Sequence, residues 1–230
     1  MKDGGRSDEQ VTRPSGGGGP SGRVVAVLSR ILGSDNACFL REFVRDPVHT
    51  AAIAPSSPAL AEAMAAVVPS DGHPTVVELG PGTGAITSAI QRRLGGRGRH
   101  LAIERQPRWA SLLQQRFPDV DVIHGDVADL PAILTEHDAD PADAVVSGLP
   151  WAAYRGQLVV DLAGALASCG VFSQFAYSWS RWAPPARAEL AALRRHFSDV
   201  VISAPIRRNL PPAIVYYARG PVDRSRQEGG

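Results

Sequence analysis

From Pro74 onward the chain alternates short apolar runs with segments of helical periodicity. Thr75 to Leu79, His100 to Ile103, Val120 to Ile123, Ala142 to Ser147 and Gly170 to Tyr177 read as strands. Between them, Ala85 to Leu94, Pro107 to Phe117, Leu130 to Leu134, Gln157 to Ser168 and Ala186 to His196 read as helices. That alternation predicts an α/β fold, a mostly parallel sheet with helices on both faces. Two last strands, Val200 to Ser203 and Ala213 to Ala218, have only a Pro-rich connection between them. They are expected to pair antiparallel, which makes seven strands with the last one reversed.

The N-terminal third follows a different pattern. Val24, Val27, Leu28, Ile31 and Leu32, then Phe39, Leu40, Phe43 and Val44, keep i, i+3, i+4 spacing, interrupted at Gly33-Ser34-Asp35. Two short amphipathic helices are predicted, flanked by Arg23, Arg30, Arg41 and Arg45. Another helix is expected from Pro58 to about Val68, with proline in its first turn where the missing N–H costs nothing. The domain reading is therefore a disordered tail over 1–22, a helical cap over 23–70, a catalytic domain over 71–221 and a tail over 222–230. The cap is a candidate for lying on a membrane surface.

Composition narrows the field. The 230 residues carry 24 basic and 23 acidic side chains, and a formal charge of +1 gives no reason to expect a nucleic-acid partner. Cys38 and Cys169 have no ligand-like spacing, which excludes a zinc ribbon or a disulfide scaffold. No run approaches the roughly 18–20 apolar residues of a spanning helix, so a cytoplasmic or peripheral location is expected. The histidines, His49, His73, His100, His124, His137 and His196, are scattered and read mostly as surface residues, none placed as a general base.

The chemistry concentrates where the first of the alternating strands ends. After Thr75-Val-Val-Glu-Leu79 come Gly80, Gly82 and Gly84, then a helix. Glycines there allow a tight turn and close approach of a ligand. The spacing also satisfies a permissive dinucleotide fingerprint, so a nicotinamide cofactor has to be considered. Three acids bear on the choice. Glu78 lies inside the strand end, where a buried carboxylate needs partners. Glu104 closes the second strand, where it can accept from ribose hydroxyls. Asp126, after Gly125, faces either an adenine amine or the next helix as its N-cap.

Together these segments resemble the class I S-adenosylmethionine-dependent methyltransferases, over roughly Pro74 to Arg219. Val76 to Gly84 is similar to their first motif, Ile103-Glu104 to the second and Gly125-Asp126 to the third. The resemblance implies a Rossmann-like methyltransferase fold and S-adenosylmethionine as cofactor. It implies that Glu78 lies near the methionine portion, Gly80, Gly82 and Gly84 line the cofactor, Glu104 holds the ribose and Asp126 the adenine. Arg105, Val127 and Ser147 belong to the same implied cofactor-binding set.

The acceptor side is carried by Ser147-Gly148-Leu149-Pro150-Trp151. Families that methylate base amines have Asn or Asp where Gly148 stands, so a side-chain acceptor is missing here. The stretches Phe39 to Pro47, Ala52 to Leu60, Ser147 to Pro150 and Asn209 to Tyr216 resemble bacterial phospholipid N-methyltransferases. That resemblance implies stepwise methylation of phosphatidylethanolamine towards phosphatidylcholine. Gly148, Leu149, Pro150, Trp151, Tyr154 and Tyr177 are then the candidate catalytic residues, and Arg207 and Arg208 the candidate contacts to a lipid phosphate. An rRNA adenine dimethylase-like enzyme, a small-molecule methyltransferase and an inactive binding protein stay open beside it. On the lipid reading, the absent side chain at Gly148 is expected to leave room for an amine that gains several methyl groups.

Overall fold

The computed structural model describes residues 56–139, 141–149, 157–178, 180–182 and 184–222. The predicted helices between Arg23 and Pro47, both tails apart from Val222, and Pro150, Trp151 and Tyr154 lie outside the described residues.

Helix α1 runs over Pro58–Ala65 and is capped by Ser57, whose Oγ accepts from the Leu60 N–H at 3.2 Å. The elements that follow are β1 (Thr75–Leu79), α2 (Ala85–Leu94), β2 (Arg99–Glu104), α3 (Pro107–Arg116) and β3 (Asp121–His124). A 3-10 turn over Val127–Asp129 leads into α4 (Leu130–Glu136) and β4 (Ala142–Ser147). Then come α5 (Gln157–Ala165), β5 (Leu166–Tyr177), a 3-10 turn over Ser180–Trp182, α6 (Pro184–His196), β6 (Phe197–Ile202) and β7 (Ala213–Pro221).

The seven strands form one sheet in the order β3-β2-β1-β4-β5-β7-β6. All neighbouring pairs from β3 to β5 are parallel, and β7 runs antiparallel to both β5 and β6. Strands β1 and β4 are buried on both faces, as Val76-Val77 and Val145-Val146 foretell. One face carries Leu130, Leu134, Leu158, Leu162 and Leu193 over Val77, Leu101, Val145 and Phe172. The other packs Leu60, Met64, Ile86 and Ile90 over Val76, Ala144, Val146 and Phe175. Burying each such side chain contributes about 1.5–3 kcal/mol, so the two apolar layers clamp the strands in a fixed register.

Strand order reverses between β1 and β4: the chain leaves β1 towards β2 and β3, then returns to the other side. Beyond the carboxyl ends of these two strands the departing helices diverge and leave a crevice, the place where ligands bind in such sheets.

Several boundaries differ from expectation. Helix α5 ends at Ala165, not Ser168, and β5 begins at Leu166, not Gly170. Leu166 pairs with Ala142, after which the register shifts before Ala144 meets Val171. Gly170 sits in that irregularity, where a Cβ would stand 2.9 Å from the carbonyl oxygens of both Ala142 and Ala167. Leu166, four residues after Leu162, fits a helix face as well as a strand, so periodicity cannot separate the two. Helix α1 stops at Ala65, short of Val68, and β6 starts earlier, at Phe197, whose ring stacks on Phe172 with centroids 6.4 Å apart.

Candidate active site

The glycine turn leaves β1 with left-handed backbone at Gly80, Gly82 and Gly84 (φ 66°, 53° and 80°) before α2 begins. The three differ in what surrounds them. A Cβ at Gly80 would strike the Leu149 side chain, and one at Gly84 would stand 2.6 Å from the Phe117 ring. At Gly82 it would meet nothing within 4 Å. Gly82 therefore faces open space, as a wall against which a ligand lies must. The turn is braced from α3, because Arg116 Nη1 donates to the Thr83 carbonyl at 3.0 Å.

Glu104, at the end of β2, is nearly buried and already holds backbone donors. Its Oε2 accepts from the Gly82 N–H at 3.2 Å and its Oε1 from the Gln106 N–H at 2.9 Å. Burial pushes its carboxyl above the usual range, against the opposite pull of those two N–H groups. Each oxygen keeps a lone pair for a hydroxyl.

Asp126 makes the cap through one oxygen only, which leaves the adenine reading open. Its Oδ1 accepts from the Ala128 N–H at 3.0 Å at the start of the 3-10 turn, and Oδ2 lies 3.8 Å from Arg105 Nη1. Arg105 is mostly exposed, and Val127 packs on the apolar layer beneath.

Glu78 points beneath α2. Its Oε2 accepts from Thr87 Oγ1 at 2.7 Å, and Oε1 has no hydrogen-bond partner although fully buried. His100 Nε2 lies 3.2 Å from Glu78 Oε2, at an angle too poor for a hydrogen bond, while His100 Nδ1 meets Gln91 Nε2 at 2.9 Å. The expectation of mostly surface histidines thus fails at His100, whose side chain is fully buried.

On the acceptor side, the Gly148 N–H donates to the Leu79 carbonyl at 2.8 Å, and Ser147 Oγ accepts from the Leu149 N–H at 3.3 Å. Ser147 is fully buried. A Cβ at Gly148 would stand 2.7 Å from the Gly80 carbonyl oxygen. This corrects the expectation that the missing side chain makes room for a substrate: the space is taken by the glycine turn. Tyr177 lies on the opposite sheet face from Leu149's neighbour Gln174, its ring edge-on to Phe175 at 5.9 Å. Burial pushes its hydroxyl well above the usual range.

Arg207 and Arg208 are exposed on the turn between β6 and β7. The Ser178 N–H donates to the Pro212 carbonyl at 2.8 Å, which brings this turn beside the exit of β5. Trp182 and Leu210 are 68% and 67% exposed, and Arg181 lies over the Trp182 ring at 4.3 Å. Segments 180–182 and 201–212 contain three arginines and no acid. Sequence patterning does not single out Trp182 or Leu210, since exposure of an apolar residue has no local signature.

No family model matches the chain. The ornithine lipid N-methyltransferase of Singulisphaera acidiphila is 38% identical over 193 residues, covering 79% of this chain and 94% of that protein. Among solved structures, an S-adenosylmethionine-dependent O-methyltransferase of Thermotoga maritima superposes with a TM-score of 0.57 at 14% identity, over 84% of this chain and 73% of that one. Fibrillarin of Aeropyrum pernix, with natively bound S-adenosyl-L-methionine, gives 0.51 at 19%, over 68% and 73%. At such identities the two structures speak for the fold.

Proposed function

The chain belongs to the class I S-adenosylmethionine-dependent methyltransferases, in the family of the ornithine lipid N-methyltransferase it resembles, and on that premise we propose that it N-methylates the amine of a membrane lipid. The identity to that relative, over most of both chains, is the observation that carries the reading. The nicotinamide alternative falls away with it. Among amine lipids, ornithine lipid is favoured by the relative, and phosphatidylethanolamine, converted stepwise towards phosphatidylcholine, is the second acceptor to test.

The residues at the crevice fit the cofactor. Gly82 offers a wall with open space before it, and Glu78 offers a buried carboxylate oxygen without a partner. Gly80, Gly82 and Gly84 would line the cofactor, with Glu78 near its methionine portion. Glu104 would receive the ribose hydroxyls, and Asp126, Arg105 and Val127 would flank the adenine, with Ser147 beside the transferred group. S-adenosylmethionine supplies a methyl group on a sulfonium, open to in-line displacement by a neutral amine.

The chain's part is mainly alignment. Holding two reactants in line can supply several kcal/mol, on the order of 7–11 at best. The carbonyls of Gly148 and Leu149 would accept N–H bonds of the amine and stabilise the charge it gains. Pro150, Trp151 and Tyr154 would complete the acceptor wall, while Tyr177 packs on Phe175 on the sheet face opposite Gln174 and is left out of it.

Exposed Trp182, with Arg181 over its ring, and exposed Leu210, two residues after Arg208, support contact with an anionic bilayer. The amphipathic segment from Val24 to Val44 would add a second contact. Among the described residues, no helix is long and apolar enough to cross a membrane.

The test is incubation with labelled S-adenosylmethionine and vesicles of ornithine lipid, vesicles of phosphatidylethanolamine, or total RNA, read by mass spectrometry. Methylated lipid amine is expected. Dimethyladenosine with unmodified lipid would overturn the reading.

A further inference from the structure

Gln174 lies near the end of β5, in register with Ser147 on β4 and Tyr216 on β7. It is fully buried. Its Nε2 donates to the Leu149 carbonyl at 3.3 Å, and its Oε1 has no hydrogen-bond partner. The amide cannot be turned to relieve this, because only its NH2 end can face a carbonyl. A buried acceptor held open in this way carries its desolvation cost without return, which natural cores avoid unless a ligand or an ordered water makes up the bond.

The place is informative. Leu149 is partly buried against the apolar layer where the chain leaves β4, and Gly148 before it has no side chain and no space for one. The acceptor oxygen that base methyltransferases would carry at position 148 is therefore missing from β4, and an amide oxygen stands unused on the neighbouring strand. We propose that Gln174 receives the acceptor amine: its Nε2 fixes the Leu149 carbonyl, and its Oε1 and that carbonyl together accept the two N–H bonds of a neutral primary amine. This inference rests on the lipid-amine reading above.

With both N–H bonds held, the nitrogen lone pair is left to point at the methyl group. It forms the new N–C bond while the C–S bonding pair goes to the sulfur, which leaves as a neutral thioether. The resulting ammonium then gives one proton to water. Its N–H bonds to Oε1 and to Leu149 strengthen as charge develops, so the interaction favours the transition state. Each transfer also consumes one N–H. The help from Gln174 is greatest for the first methyl group and least for the last.

The test compares wild type with Gln174→Leu and Gln174→Glu, using mixed micelles of whichever amine lipid the wild type accepts and its partly methylated forms. Calorimetric affinity for S-adenosylmethionine and melting temperature are measured alongside. Gln174→Leu is expected to bind cofactor within about twofold and to melt no lower than wild type, because an unmatched polar atom has been removed. Its kcat/KM should fall at least about tenfold on the first transfer and much less on the last. Should only one transfer occur, partial recovery in Gln174→Glu, whose protonated carboxyl can donate to the Leu149 carbonyl and still keep an acceptor oxygen, takes the place of that comparison. Equal losses at every step, no recovery, or wild-type rates in Gln174→Leu would overturn the proposal. If wild type methylates no lipid amine, the lipid reading fails by itself. The melting measurement still decides on Gln174, since a clear drop in Gln174→Leu would mean that Oε1 is matched within the fold.

Discussion

Gly82→Ala separates the cost of a backbone from the cost of a ligand. The left-handed φ of 53° at Gly82 is strained for alanine by about 1–2 kcal/mol. Among the described residues nothing else opposes the substitution, since a Cβ there has no neighbour within 4 Å. For a chain of this size that strain lowers the melting temperature by about 2–8 °C. In the liganded protein the added methyl would intrude on the cofactor, and overpacking by such a group costs about 1–3 kcal/mol, roughly a fivefold to 150-fold loss of affinity. Gly148→Ala is the control with the opposite balance, because its Cβ would lie 2.7 Å from the Gly80 carbonyl oxygen and has to displace the turn itself. Differential scanning fluorimetry and titration calorimetry with S-adenosylmethionine, run on both variants, give the two quantities independently. Gly82→Ala should lose affinity out of proportion to its stability, and Gly148→Ala should lose stability first. Wild-type affinity in Gly82→Ala, with the expected fall in melting temperature, would refute the position of the cofactor.

Glu104→Ala should weaken cofactor binding by about 1–3 kcal/mol through lost charge-assisted hydrogen bonds, seen in the same titration; an unchanged Kd would remove Glu104 from the site. Glu189, buried on α6 with Oε1 unpartnered, has its carboxyl pushed by burial up to about 7. The folded chain then holds a proton that the unfolded chain has lost, so stability is full below about pH 4.5 and falls, by up to about 3 kcal/mol, as pH rises through 7. Glu189→Gln should flatten that slope in melting curves between pH 5 and 8.5, and an equally steep slope would contradict the burial argument. Replacing both Trp182 and Leu210 with Ser should reduce sedimentation with anionic vesicles, each side chain contributing about 1.5–3 kcal/mol if it enters the interface. Undiminished binding would leave both residues without a membrane role.

The parts of the fold legible in the sequence are those where local and tertiary demands agree. Thr75–Leu79, Ala85–Leu94 and Ala142–Ser147 come out with the bounds expected, because a doubly buried strand, a glycine turn and an amphipathic helix each have a pattern of their own. The start of β5 does not, since the bulge at Gly170 is imposed by β4 rather than by its own residues. Glu104 and the glycines were legible as chemistry because their place at strand ends follows from chain order. Gln174 and His100 were not, because what makes them notable is a missing or strained partner on another element. Asn209 shows a third case. Its motif is visible in the sequence, yet its visible work is to join α1 to the β6–β7 turn, accepting from the Ser57 N–H at 3.0 Å and donating to the Pro211 carbonyl at 2.7 Å.

The contact between Gly148 and the Gly80 carbonyl bears on how such an enzyme changes acceptor over evolutionary time. Asparagine at position 148 would seem the shortest mutational route from a lipid amine towards a base amine. A chain taking that step first displaces its cofactor turn and loses the old activity before it has a new one. A change of acceptor is therefore expected to begin at neighbouring residues that can vary without touching the turn.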